Sequence, residues 1–239
     1  LGGIEVADVS RRNLDYAVVV EGPCYLLKQG LGAEKARTVA HEAAVYQWIW
    51  REERARSLRA VVPRIHGFEP ADCVLVLELY RDSRTLVNYH RQLGRFPAVA
   101  ARQLGRVVAL VHDTCGGGLC EVPAALVVGL PFGLSLHRPD LRLFEYASRA
   151  AVELLRIIHG SSELMADLDA VAAQWRSEAL VHGDLRWDNC HVVADRRWGA
   201  GRLKVVDWEL AGMGDPAWDI AMVFGEYVRT WLQSAPVSG

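Results

Sequence analysis

The segment His182-Gly183-Asp184-Leu185-Arg186-Trp187-Asp188-Asn189, followed by Leu203-Lys204-Val205-Val206-Asp207-Trp208-Glu209, constrains the fold of this chain more than any other feature. Each stretch is entered by a short β-branched or leucine-rich run, Ala179-Leu180-Val181 before the first and Leu203-Lys204-Val205-Val206 within the second. Such runs, bounded by polar residues, read as strands. Placed side by side, the two strands would deliver Asp184 and Asp207 to one mouth. Phosphoryl transfer asks a protein for one carboxylate to orient an acceptor hydroxyl and take its proton. It also asks for an amide oxygen and a second carboxylate to hold magnesium against the phosphates. Asp184, Asn189 five residues later and Asp207 supply those three groups. Taken singly, Asp184 would pass for a turn residue and Asp207 for a strand-end acid making an Asx-turn. Their joint order and spacing point instead to a magnesium-nucleotide site.

On these motifs the chain resembles the aminoglycoside phosphotransferase and choline kinase-like family, whose catalytic loop reads HGDxxxxN and whose metal motif reads DWE. Gly214-Asp215-Pro216-Ala217-Trp218-Asp219-Ile220-Ala221 is similar to that family's GDPxxDLA. The resemblance implies an α+β, bilobal protein kinase-like fold, with a small antiparallel sheet and one helix in the N-terminal lobe and a mainly helical C-terminal lobe. It further implies ATP and Mg2+ as cofactors, Asp184 as the catalytic base, and Asn189 and Asp207 as metal ligands. His182 and Asp219 become structural supports of the catalytic loop.

The organisation of the chain fits this expectation. Tyr16–Val20 and Cys24–Lys28 read as strands joined by the turn Glu21-Gly22-Pro23, and a breaker-free helix is expected from Glu34 to about Ser57, with Val39, Ala43, Tyr46 and Trp50 on one face. Further strands are expected near Ile65–Phe68 and Cys73–Leu77. Residues 1–80 are thus read as the nucleotide-binding lobe, 81–84 as a hinge and 85–239 as the catalytic and acceptor-binding lobe. In the last of these, helices are expected from Pro97 to about Asp113, from Leu141 to Ile158, from Ser162 to about Ser177, and from Pro216 to about Trp231, capped by Asp215.

Lys28, near the end of the second strand, falls where a kinase-like fold places its phosphate-binding lysine, and Glu42 on the next helix is its expected partner. No G-x-G-x-x-G precedes Lys28. Ser10, Arg11, Arg12 and Asn13 stand in the place of the phosphate-covering loop, where side-chain and backbone donors can cradle phosphate without glycines. Adenine is expected against backbone groups of Glu78 to Tyr80.

With 51% hydrophobic and 23% charged residues and a net charge of −2, the 239-residue chain has no general attraction for nucleic acid or an anionic membrane. No run is long enough to span a bilayer, and no signal peptide is read. Five cysteines without a C-x-x-C pair suit a reducing cytoplasm, and Leu1 in place of Met suggests that native residues precede the sequence. The acceptor is expected to be a small-molecule hydroxyl. The alternatives are a Ser or Thr of a precursor peptide, as in lanthipeptide or thioamitide-like maturation, and a nucleotide-binding scaffold without catalysis. Trp187, Trp208 and Trp218 read as packing residues first and as cation–π partners second. Residues 81–106 carry six arginines against the single acid Asp82, a solvated face or a dock for a partner protein.

Overall fold

The computed structural model describes residues 3–10, 14–20, 22–116, 121–139, 147–194 and 201–234. Five antiparallel strands open the chain: β1 (Glu5–Asp8), β2 (Leu14–Val19), β3 (Cys24–Gln29), β4 (Ile65–Glu69) and β5 (Val74–Glu78), in the order β1-β2-β3-β5-β4. The expected hairpin forms, with register running from Val19 opposite Cys24 to Leu14 opposite Gln29. β1 was not expected. All four of its residues are exposed, so it carries no alternation of buried and solvated positions from which a strand could be read.

Helix α1 (Ala33–Arg51) covers this sheet with Val39, Ala43, Tyr46 and Ile49, each fully buried. Burying side chains of this size contributes about 1.5–3 kcal/mol apiece. The helix stops six residues short of the expected Ser57. A 3-10 turn over Arg56–Ala60 brings the Arg59 guanidinium back to donate to the carbonyls of Ile49 (3.1 Å) and Glu52 (2.9 Å), capping carbonyls that a longer helix would have used itself.

The second half holds helices α2 (Leu86–Leu93), α3 (Ala98–Thr114), α4 (Arg149–His159), α5 (Ser162–Ala173) and α6 (Pro216–Ser234). α2 went unread in the sequence. Its signals were present, since the Thr85 side chain accepts from the Asn88 N–H and Gly94 closes the helix at φ 58°. Pro97 is the N-cap of α3 rather than its first helical residue. The expected helix from Leu141 begins outside the described residues, and α4 is its described part.

Two small sheets position the motifs, and they correct the expected strand pairing. β7 (Ala179–Val181) pairs with β10 (Gly212–Gly214), whereas β6 (Ser83–Thr85), β8 (Cys190–Val193) and β9 (Arg202–Val205) form a separate sheet. β7 and β9 are therefore not paired neighbours. Each satisfies its backbone against another short strand, and the two are joined instead by a side chain, described below. Cys24, Cys73 and Cys190 are free thiols. Cys115 is disulfide-bonded, a departure from the expectation of reduced thiols throughout.

Candidate active site

The loop after β7 is fixed from below by buried polar groups. His182, fully buried, donates from Nε2 to the Val206 carbonyl at 3.0 Å, and its Nδ1 accepts the Asp184 N–H at 3.3 Å. This ring ties the two motifs together, alongside the Val206 N–H that donates to the Asn189 carbonyl at 3.0 Å. Asp219, fully buried on α6, accepts the N–H groups of His182 (2.8 Å) and Gly183 (3.0 Å) and lies 3.2 Å from His112 Nε2. Hydrogen bonds to a charged group contribute about 1.5–3 kcal/mol each, so this carboxylate is a strong anchor. Gly183 has φ 82°, and a Cβ there would sit 2.4 Å from the Leu210 carbonyl oxygen. Only glycine lets the loop take that turn under the neighbouring segment.

Above these supports, Arg186 grips both oxygens of Asp184, Nε to Oδ1 and Nη2 to Oδ2, at 2.8 Å each. That two-pronged bond raises the Arg186 guanidinium above its ordinary range. Asn189 donates its amide to the Asp184 carbonyl (2.9 Å) and to Oδ2 (3.1 Å), which leaves the amide oxygen as an acceptor. The structure thus brings Asp184 and Asn189, both candidates from the sequence, into contact. Arg186 was missed, although its position two residues past Asp184, between Leu185 and Trp187, was the available signal.

Lys28 bridges Glu42 at 2.6 Å and Asp207 at 2.7 Å. Lys28 is 5% exposed and Glu42 not at all, and the Trp208 N–H donates to Glu42 Oε1 at 3.2 Å. Burial alone would lower the Lys28 ammonium, but the two carboxylates outweigh it and hold the group above its ordinary range. Burial likewise pushes Asp207 up, and Lys28 beside it prevails and leaves it below the usual carboxylate range. Asp207 therefore stays ionised, at φ 67° in the left-handed region. An ionised carboxylate with one oxygen on Lys28 and an amide oxygen on Asn189 are the hard oxygen donors that suit Mg2+ with substrate phosphates. Among the described residues there is no cluster of three or more His, Cys, Asp or Glu that could hold a metal ion.

Lys28, Glu42, Asn189 and Asp207 line one cleft of about 310 Å³, roofed by Leu26 and Leu77 and bounded by Glu78, Leu79 and Tyr80. Two backbone donors there are already committed, Glu78 N–H to the Arg64 carbonyl (2.8 Å) and Leu79 N–H to the Cys24 carbonyl (3.0 Å). The expected set of adenine contacts is thus narrower than read. Ser10 is not in this cleft. Its hydroxyl accepts the Asp15 N–H at 2.9 Å and closes the turn between β1 and β2, and Arg11, Arg12 and Asn13 lie outside the described residues.

On the other side of Asp184 lies a larger cavity of about 630 Å³, bounded by Val181, Gly183 and Asp184 and walled by Phe132, Trp175 and Trp218. The Trp175 and Trp218 rings meet edge to face at 6.2 Å. Trp187 and Trp208 are packing residues, 2% and 0% exposed, whereas Trp218 faces this cavity. Trp175 and Phe132 were missed, since nothing near them in the sequence marks a site.

Fold and constellation together define a phosphotransferase of kinase-like architecture. Residues 4–239 match the phosphotransferase enzyme family (APH), and the chain belongs to that family. Among solved structures, choline kinase LicA from Streptococcus pneumoniae is similar with a TM-score of 0.56 and 18% identity, over 98% of this chain and 77% of that one. A thermostable mutant of aminoglycoside phosphotransferase APH(4)-Ia has a TM-score of 0.59 and 15% identity, over 96% and 74%. Aminoglycoside phosphotransferase APH(3'')-Id from Streptomyces rimosus, in complex with ADP and streptomycin, has a TM-score of 0.53 and 17% identity, over 95% and 78%. No curated protein matches by sequence. At these identities the structures share the fold with this chain.

Proposed function

We propose that this phosphotransferase transfers the γ-phosphate of ATP, with Mg2+, to the hydroxyl of a small molecule. One observation carries the reading: the Lys28 bridge to Glu42 and Asp207, at 2.6 and 2.7 Å, lies in the same cleft as Asn189, which in turn contacts Asp184. Related structures hold AMP, ADP or GDP, which supports nucleotide binding here. In this reading residues 1–80 form the nucleotide lobe, 81–84 the hinge and 85–239 the catalytic lobe. The Tyr80 N–H, for which no partner is found among the described residues, is the donor proposed for adenine.

Glu42 would hold Lys28 at the α and β phosphates, while Asp207 and Asn189 would hold Mg2+, which when bound would neutralise phosphate charge. Asp184 takes the proton of the acceptor hydroxyl. The acceptor oxygen bonds to the γ-phosphorus, the bond from that phosphorus to its bridging oxygen breaks, and ADP leaves. Arg186 keeps the Asp184 carboxylate aimed. Lys28, Glu42, Asp184, Asn189 and Asp207 are all in place, which weighs against a non-catalytic scaffold. No described helix is long and apolar enough to cross a membrane; the compartment proposed is the cytoplasm, where the Cys115 disulfide would be open to reduction.

The test is transfer to a panel of acceptors, followed by the mass gain of about 80 Da on phosphorylation. Asp184→Asn is expected to lower kcat by about 10²–10⁴ while Mg-ATP binding persists, because the side chain acts on the acceptor. Near-parental turnover would rule out the base role.

A peptide acceptor or partner protein has one supporting observation. Arg102 and Arg106, one turn apart on α3, share a cleft of about 320 Å³ with Arg202 over Val61, Val107 and Leu203, with no acid among the lining residues. Arg91 and Arg95 do not line it. Reversing Arg102 and Arg106 to Glu should raise KM for an acidic peptide and flatten its salt dependence. An unchanged salt response returns the arginines to a solvated face.

A further inference from the structure

We infer that the acceptor is a neutral alcohol with a bulky apolar body, seated against Trp175, Trp218 and Phe132 with its hydroxyl at Asp184. The inference rests on the reading of Asp184 as the base and names the substrate class of that site.

The wall is made of large apolar side chains offered to solvent. Phe132 is 57% exposed and Leu130 40%, both on one short segment beside a catalytic carboxylate, where a folded chain with no ligand to meet would bury them or replace them. The two indoles are held in place. A Cβ on Gly214 would come within 3.0 Å of the Trp175 ring, and one on Gly133 within 3.0 Å of the Trp218 ring, so both rings rest directly on glycine backbone. Trp218 Nε1 also donates to the Gly183 carbonyl at 2.9 Å, tying the wall to the catalytic loop. A surface fixed before the ligand arrives loses little entropy on binding.

Charge argues in the same direction. The acids along the cavity are Glu34, Asp184 and Glu209, opposed by Arg37 and by His41 when protonated. Asp184 is already gripped at both oxygens by Arg186, and Glu209 has a partner within the fold. Phe132, Trp175 and Trp218 carry no charge, and Glu34 at the rim stands beside Arg37, so a polycationic sugar would bring more ammonium groups than the few acids here could pair, a loss that apolar contact does not restore. A small quaternary ammonium could be met by the indoles, but a cavity of about 630 Å³ is in the range that drug-sized ligands fill.

The experiment uses four probes on the full chain: naphthylethanol, a neutral macrolactone alcohol, kanamycin and choline. Tryptophan fluorescence quenching reports binding without turnover, and mass detection with Mg-ATP reports transfer. One or both apolar alcohols are expected to bind and to be phosphorylated with kcat/KM about tenfold or more above kanamycin and choline, the scale of a few apolar contacts. Phe132→Glu, at an exposed position that folding does not depend on, should raise KM for the apolar alcohol about tenfold with kcat nearly kept. Preference for kanamycin or choline, no binding of either apolar alcohol, or a KM indifferent to Phe132→Glu would each overturn the inference. Binding of the apolar alcohols without transfer to any probe would uphold the pocket and count against the phosphotransfer role of Asp184.

Discussion

The cavities on either side of Asp184 are built on opposite principles. The side proposed for the nucleotide joins charges from three separate elements, with Lys28 on β3 lying 2.6 Å from Glu42 on α1 and 2.7 Å from Asp207 after β9. The acceptor side is walled by Phe132, Trp175 and Trp218, with few charges at its edge. A buried charge must have its partner, so each member of the first set dictates the others. Apolar walls need only volume and shape, and many residues meet that need. The difference teaches that chemistry common to a family resides in mutually obligate charges, and substrate choice in interchangeable packing.

The largest expected effect breaks the charged side. Lys28→Ala leaves Glu42 fully buried beside Asp207 with no cation, and removing one partner of a buried pair costs about 3–5 kcal/mol. Urea unfolding measures it. A loss below about 1 kcal/mol, the scale of an exposed pair, would show that the bridge does not organise the cleft.

A smaller effect probes an apolar region under the catalytic loop. His90, 4% exposed, has neither ring nitrogen hydrogen-bonded and packs against Phe96, Trp187 and Tyr227. Burial lowers its pKa from the ordinary 6.5. Below pH 6.5 the unfolded chain takes up a proton that the folded protein resists, so this contribution to stability is full above that pH. It declines as pH falls toward the folded value. His90→Phe should remove that acid-dependent loss and leave stability near neutrality within about 1.5 kcal/mol. Parent and variant with parallel melting curves from pH 7 to 5 would contradict it.

Legibility follows the same division. Lys28, Glu42, Asp184, Asn189 and Asp207 stood out as candidates because the two acidic motifs and the resemblance they carry assign each a place in order, whereas the meeting of Lys28 with Asp207, far apart in the chain, is made by the fold. His182 and Asp219 were read as supports for the same reason, and both are buried on backbone N–H or carbonyl groups. The acceptor wall could not be read. Phe132, Trp175 and Trp218 lie on three separate segments, and each alone looks like core. The pairing of β7 with β9 was misread because both runs are apolar and short, and periodicity does not say which strand lies beside which. A hydroxyl near a turn, such as that of Ser10, can serve a ligand or the turn itself, and in this structure it closes the turn with Asp15.

The central claim is that the Lys28–Asp207 contact is the resting form of a joint nucleotide and metal site. Opening it frees Lys28 for phosphate and Asp207 for Mg2+, so each ligand should ease the binding of the other. Melting temperature is measured with neither ligand, with ATP, with Mg2+ and with both at millimolar concentration, for the parent and for Asp207→Asn. ATP and Mg2+ together should shift the parent by more than the sum of their separate shifts, ligand at a hundred times its Kd adding about 2.7 kcal/mol. Asp207→Asn should lose the metal-dependent part. No shift in the parent, or equal shifts in parent and variant, would contradict the claim.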